Sequence, residues 1–160
     1  MHRASQGPVD LLGASTGLQV CGQGAWQSQK HGEKQRKCWK KLPIGVEDQG
    51  QIIAATITDR HAPDLSQVPT LLGQVERKIE RFIGAGIDDQ QPVYAAVEAH
   101  SPGASVIIPP RKDAVLRPTA GASPTPRDRH LLASESAGRF HWKRTSGYYD
   151  QGEAENALSR

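Results

Sequence analysis

The chain has 160 residues, 36% of them hydrophobic, and a formal net charge of +3. This length suits one domain with a buried core, and no apolar stretch approaches the ~20 residues that cross a bilayer. The two cysteines have no close partner, which excludes a disulfide-stapled secreted scaffold. Since no secretory signal is visible either, the sequence predicts a cytoplasmic protein.

The first third of the chain predicts a meander of three strands. Residues 9–20 are largely apolar and are interrupted by two glycines, which predicts a strand that runs into an irregular turn. Leu42, Ile44 and Val46 then occupy every second position, which is the period of a half-buried strand. Residues 48–50 have turn chemistry, and residues 52–58 are rich in β-branched residues, as in the returning arm of a hairpin. Pro43 cannot donate a ladder hydrogen bond, so we expect its strand to lie at an edge or to be weakened there.

Helices and further strands follow. An Asp64-x-x-Gln67 pattern resembles a capping box and precedes a predicted amphipathic helix. The apolar positions of this helix are Val68, Leu71, Leu72, Val75 and Ile79. We then expect a short buried strand at 82–84, a second helix capped by Asp89 and a third apolar run at 105–108. Residues 119–126 read as a surface loop, and residues 128–140 and 151–160 as helical. This alternation predicts an α/β fold with a mixed sheet.

Positive charge is concentrated in two segments. Residues 30–41 hold six bases and one acid with Trp26 and Trp39 nearby, and residues 111–144 hold eight bases and three acids. A charge run is usually a solvated surface, but bases interleaved with aromatics also suit a phosphate backbone with stacked bases. Composition alone leaves both interpretations open.

Two other motifs indicate different chemistry. Residues 13–17 match G-x-S-x-G, the nucleophile elbow of hydrolases with Ser15 as nucleophile, but the residues that follow predict more strand where an elbow needs a helix. Cys21, His31 and Cys38 could be considered for zinc, but they lack the close ligand pairs of structural zinc sites. Both hypotheses are therefore weak.

Several segments occur together and in a fixed order. They read Ala-Ser-Thr-Gly-Leu-Gln-Val from residue 14, Gly-Gln-Gly-Ala-Trp from 22, Lys-His-Gly from 30 and Trp-Lys-Lys-Leu from 39. Further ones are Ile-Gly-Ala-Gly from residue 83 followed by Asp89, Ile-Pro-Pro-Arg-Lys from 108, and Ser-Gly-Tyr from 146 with Glu155. Together they closely resemble the catalytic domain of bacterial insertion-sequence DDE transposases, in the group whose signature reads Y, R, E, K.

The resemblance implies an RNase H-like α/β fold, a mixed sheet flanked by helices, over residues 9–160 after a disordered tail of residues 1–8. In such a domain, two aspartates on adjacent strands and a glutamate on a later helix hold two Mg²⁺ ions for phosphoryl transfer. The partners implied are DNA, through terminal inverted repeats, and a second copy of the chain as a homo-oligomer. No membrane partner is expected.

The chain departs from that pattern at the acids. The first aspartate position falls on Ala14 and the second on Ala85, while Glu155 keeps its carboxylate. Asp10 lies roughly 13 Å along the strand from Ala14 at 3.3 Å per residue, too far to share an ion. A methyl group cannot ligate Mg²⁺, so we expect Glu155 to be a vestigial ligand and metal-dependent strand transfer to be lost.

The signature itself is incomplete. Tyr148 matches, the arginine position holds Gln151, and the lysine would fall two residues beyond residue 160, which predicts a domain truncated at its C-terminus. The main hypothesis is therefore a transposase-derived domain that has lost its chemistry. The alternative is a non-catalytic nucleic-acid-binding protein, with a hydrolase third. The candidate DNA-binding residues are Lys30, His31, Arg36, Lys37, Lys40, Lys41, Arg111, Lys112 and Tyr148.

Overall fold

The computed structural model describes residues 7–20 and 38–159. These residues form six strands and five α-helices. The strands are β1 (Val9–Val20), β2 (Cys38–Glu47), β3 (Ile52–Ala55), β4 (Thr58–Asp59), β5 (Ile79–Ile83) and β6 (Ser105–Ile107). The helices are α1 (Val68–Gly73), α2 (Gln91–His100), α3 (Pro126–Ala137), α4 (Arg139–Thr145) and α5 (Gly152–Leu158).

The strands lie in one mixed sheet in the order β3-β2-β1-β5-β6, with the short β4 also paired to β2. β1, β2 and β3 pair antiparallel with one another, as the meander prediction requires. β5 and β6 run parallel to β1, and α2 provides the crossover between them. The predicted α/β architecture, a mixed sheet flanked by helices, is confirmed.

Each face of the sheet has its own apolar core. The first core packs α1 and α2 on one face, through residues such as Leu71 and Val97 with Leu11 and Phe82 of the sheet. The second core packs Trp142 of α4 and Ala154 of α5 on the other face. Alternation along β1 produces this division, because successive side chains of a strand point to opposite faces.

Pro43 lies inside the sheet, between β1 on one side and β3 and β4 on the other. It pairs with Ser15 of β1, while on the other side β3 pairs with residues 44–46 and β4 with residues 40 and 41. The proline therefore lies where the outer ladder is interrupted, and its carbonyl accepts a hydrogen bond from Thr56 N at 3.0 Å. The prediction that this strand lies at an edge is wrong, because β2 lies between β1 and β3. The prediction that its pairing is weakened at Pro43 is confirmed.

Three predicted elements differ from the structure. Ile79 begins β5 and does not belong to α1, which ends at Gly73. Asp89 does not cap α2, whose N-cap is Gln90. The single helix predicted over residues 128–140 is two helices, because Gly138 adopts φ +88 and ends α3.

The start of α3 follows ordinary capping chemistry. Thr125 is the N-cap, its Oγ1 accepts from Asp128 N at 3.2 Å, and Asp128 Oδ2 accepts from Thr125 N at 2.9 Å. This reciprocal pair satisfies two backbone donors that the helix itself cannot. In the described ranges, every helix is too short or too polar to span a bilayer.

Candidate active site

The two alanines singled out by the sequence lie side by side where the pairing of β1 with β5 ends. β1 and β5 are parallel, with Leu12 paired to Ile83. The ladder from β5 to β6 continues through Gly84, whose N–H donates to Ile107 O at 3.1 Å. Ala14 and Ala85 each lie two residues beyond the Leu12–Ile83 pair, and the backbone of Ala85 is extended. The same register therefore places them next to each other.

Both alanines belong to the face of the sheet that α5 covers. Leu12 and Ile83 are buried in the second core, and Ala14 packs against that core. Because side chains two residues apart on a strand share a face, Ala85 follows Ile83 onto the same side. Ala154 of α5 is completely buried in this core, so the helix that carries Glu155 packs on the same face of the sheet as Leu12, Ala14 and Ile83.

A cleft of about 180 Å³ opens beside the two alanines. Its lining is mainly apolar, with one carboxylate, and comprises Gly13, Ala14, Ser15, Pro43, Val68, Leu71, Phe82, Ala85 and Asp88. Val68, Leu71 and Phe82 of this lining belong to the first core, on the other face of the sheet from α5, and both alanines border the cleft.

Asp88 reaches this cleft by folding back over the turn after β5. Its Oδ2 accepts a hydrogen bond from Ala85 N at 3.1 Å, and the residue is buried. A Cβ added at Gly84 would lie 2.9 Å from Asp88 Oδ2. Glycine at position 84 therefore leaves room for a carboxylate that the sequence analysis placed past the strand end.

Glu155 does not line the cleft. It is exposed on α5, one residue after the buried Ala154. Burial raises the pKa of the half-buried Tyr148, and the negative charges of Glu155 and Asp88 raise that pKa further. The Tyr148 hydroxyl therefore lies within electrostatic reach of carboxylates from both α5 and the turn after β5.

Gln151, at the arginine position of the signature, has a structural contact with β1. It is 6% exposed, and its Nε2 donates to the carbonyl of Gly13. This bond joins the short 3-10 turn Tyr148–Gln151 to the strand that carries Ala14. Gly147 makes the turn before Tyr148 with φ +85, and a Cβ there would lie 2.8 Å from Arg81 Nη1.

The residues present do not fit a pair of Mg²⁺ ions. Hard cations require several oxygen ligands, whereas Ala14 and Ala85 offer methyl groups. Asp10 is engaged elsewhere, since Arg81 Nε donates to its Oδ2 at 2.9 Å. Within residues 7–20 and 38–159, no group of three His, Cys, Asp or Glu side chains could hold a metal ion.

The candidate DNA-binding residues do not gather at one place. Lys30, His31, Arg36 and Lys37 lie outside the described residues. Lys40 pairs with Asp59, and Lys41 Nζ donates to Ala62 O at 3.1 Å. Arg111 and Lys112 are exposed in the loop after β6, where Arg111 Nε lies 3.2 Å from Asp113 Oδ1. β1 and β5 separate these two groups, and Tyr148 packs against the second core.

The hydrolase and zinc motifs can also be placed. Ser15 is exposed in the middle of β1, so residues 13–17 form continuous strand instead of the sharp strand-to-helix turn of a nucleophile elbow. Cys21 and His31 lie outside the described residues, and Cys38 is the first residue of β2.

Asp89 is a buried charge whose contacts the sequence did not indicate. Its two carboxylate oxygens accept from Arg127 Nε at 2.8 Å and Nη2 at 3.1 Å, and Oδ2 also accepts from Arg111 N at 2.9 Å. The pair joins the turn before α2, the first turn of α3 and the loop after β6. Nothing in local sequence spacing could have indicated this contact, because 38 residues separate the partners.

Comparison with known families agrees with this geometry. A family model described as transposase DDE domain matches residues 15–155, from the residue after Ala14 to Glu155. None of the solved structures matches the chain. The family is generally dependent on divalent metals and acts on DNA. Since the match spans most of the chain, and the mixed sheet flanked by helices is consistent with such a domain, the protein belongs to the transposase DDE domain family.

Proposed function

We propose that this chain is a transposase domain of an insertion sequence, of the group with the Y-R-E-K signature, that has lost metal-dependent DNA cleavage and keeps DNA binding. One observation carries the proposal: Ala14, in β1 just past its pairing with β5, and Ala85, just beyond β5, stand side by side at one cleft. The retained Tyr148 and Glu155 support the assignment to the group.

The loss follows from ligand chemistry. Two-metal phosphoryl transfer needs anionic oxygens that hold both ions near the attacking and leaving groups. Aspartates at positions 14 and 85 would bring two carboxylates onto neighbouring strands, ~4.8 Å apart in the direction of the ladder. Of the three acidic positions, the methyl groups leave only Glu155, and Asp88 Oδ2 already accepts a hydrogen bond from the backbone N–H of Ala85.

The test is restoration of the metal site. We expect the Ala14→Asp/Ala85→Asp variant to bind Mn²⁺ in isothermal titration calorimetry, and Mg²⁺ more weakly, while the native chain shows no saturable heat. The matched control is Ala14→Asn/Ala85→Asn, which has nearly the same size without the charge and should behave like the native chain. A folded aspartate variant with no affinity for either metal would contradict the assignment of positions 14 and 85.

DNA binding is the second part of the proposal. Exposed bases such as Lys112 and the net charge of +3 support it, together with the family's action on DNA. We expect weak, sequence-tolerant binding that falls steeply as salt is added, because contacts to phosphates release counterions. A gel shift at low salt measures this, and no retardation of any DNA would exclude this part of the proposal.

A further inference from the structure

We infer that α4 and the turn after it form a surface that binds single-stranded DNA. The inference rests on the proposed retention of DNA binding and assigns it to a place on the fold. The surface, called here the basic–aromatic face, consists of Arg139, Phe140, Lys143, Arg144, Tyr148 and Tyr149.

The bases of this face are not held in ion pairs by acids of the described residues. Residues 139–149 contain three bases and no acid. In the described part of the chain, Arg139, Lys143 and Arg144 form no ion pair. By contrast, Lys40 and Arg111, which the sequence analysis favoured for DNA, are each paired with a carboxylate. The face therefore offers charge that a phosphate backbone can use without first breaking an ion pair.

Exposed aromatic rings lie between these bases. Phe140 is 69% exposed and Tyr149 is 53% exposed, although apolar rings of this size are normally buried. The guanidinium carbon of Arg144 lies 5.9 Å from the centre of the Phe140 ring, and Lys143 Nζ lies 5.2 Å from that of Tyr148. The Tyr148 ring packs against Trp142 and the second core, so the exposed rings of Phe140 and Tyr149 are the ones that can stack a nucleobase.

The combination favours unpaired DNA over duplex. A duplex presents phosphates and base edges along its grooves, and its base faces are stacked on one another. A single strand exposes its base faces, which exposed Phe and Tyr rings can stack, while the bases of the protein contact its phosphates. DNA is chosen over RNA because the family acts on DNA.

The turn at the end of this face is joined to the strand that carries Ala14. Tyr148 begins the 3-10 turn Tyr148–Gln151, and Gln151 Nε2 donates to the carbonyl of Gly13 in β1. A DNA strand bound along α4 would therefore reach the neighbourhood of β1.

The charge arm of the test uses fluorescence anisotropy with a labelled single-stranded DNA oligonucleotide of mixed sequence. For Arg139→Gln/Lys143→Gln/Arg144→Gln we expect at least tenfold weaker binding at low salt. The slope of log affinity against log salt should shrink by about 2, from three lost phosphate contacts at ~0.7 each. The matched control, Arg60→Gln/Lys78→Gln/Arg129→Gln, removes three exposed bases elsewhere and should weaken binding much less.

The aromatic arm separates stacking from charge. Phe140→Ala/Tyr149→Ala should weaken binding of the single strand roughly tenfold, at about 1.4 kcal/mol, and leave duplex binding unchanged. Both residues are exposed, so circular dichroism should show native folding. Two results would overturn the inference while DNA binding itself stands. One is an equal loss of affinity in the triple variant of α4 and in its control, and the other is unchanged single-strand binding in the aromatic variant.

Two further results bear on the ligand. A native chain that binds no DNA would refute the proposed function together with this inference. Tighter binding of the matching RNA strand, lost in the same variants, would overturn the assignment to DNA.

Discussion

His130 joins two elements through both of its ring nitrogens. Nε2 lies 2.6 Å from the carbonyl of Val106, and Nδ1 lies 3.2 Å from Trp142 Nε1. A carbonyl can only accept and an indole N–H can only donate, so the neutral ring must carry its proton on Nε2. A second proton on Nδ1 would remove the acceptor that Trp142 needs.

This arrangement predicts a loss of stability in mild acid. Burial lowers the pKa of His130 from its ordinary 6.5, against the hydrogen bond to Val106 and the charge of Asp89, which raise it. The unfolded chain therefore takes up the proton first, so the contribution of His130 is complete above pH 6.5 and declines as pH falls below it. The melting temperature should fall between pH 7.5 and 5.5, and less in His130→Gln. The same decline in both proteins would contradict the prediction.

The order of motifs in the sequence led to the prediction that Ala14 and Ala85 stand at two aspartate positions, but it said nothing of what surrounds them. The return of Asp88 to Ala85 N and the bond from Gln151 to Gly13 O depend on how turns close over 3 and 138 residues. No local pattern encodes such closures.

Among the helices, the ion pair of Arg127 and Asp89 links the starts of α2 and α3. The side chains of Arg127 and Asp89 are 20% and 1% exposed. We expect Arg127→Leu to lower the free energy of unfolding by ~3–5 kcal/mol, because it leaves a buried carboxylate without its partner. Urea denaturation followed by tryptophan fluorescence measures the change.

The control for this prediction is Arg129→Leu, which removes an exposed arginine from the same helix. Its effect should stay within ~0.5 kcal/mol, as for most surface substitutions. Equal effects of the two substitutions would show that the ion pair contributes nothing specific.

The boundaries of elements show where sequence periodicity fails. Val68, Leu71, Val75 and Ile79 were assigned to one helix because their spacing is helical, yet Ile79 belongs to a strand. All four side chains are buried in the same core, so burial alone could not separate the helix from the strand. α1 ends at Gly73. The helical spacing of the apolar residues continues past this glycine, so spacing alone extended the predicted helix too far.

For the whole molecule, the sheet order explains why distant residues share one site. β1 lies between β2 and β5, so a hairpin and a parallel crossover bring the carboxyl ends of β1 and β5 together. The prediction of a mixed sheet flanked by helices was sound because strands and helices alternate after an initial hairpin. The basic–aromatic face was not predicted, because it forms only when α4 and the following turn fold against each other.

The central claim is that the native chain does not cleave DNA with the help of a metal. The most direct measurement is conversion of supercoiled plasmid to the nicked form by the native protein in Mg²⁺ or Mn²⁺, beside Glu155→Gln. We predict that the native protein and Glu155→Gln nick the plasmid at the same background rate, with or without metal. Nicking that requires metal and disappears in Glu155→Gln would contradict it.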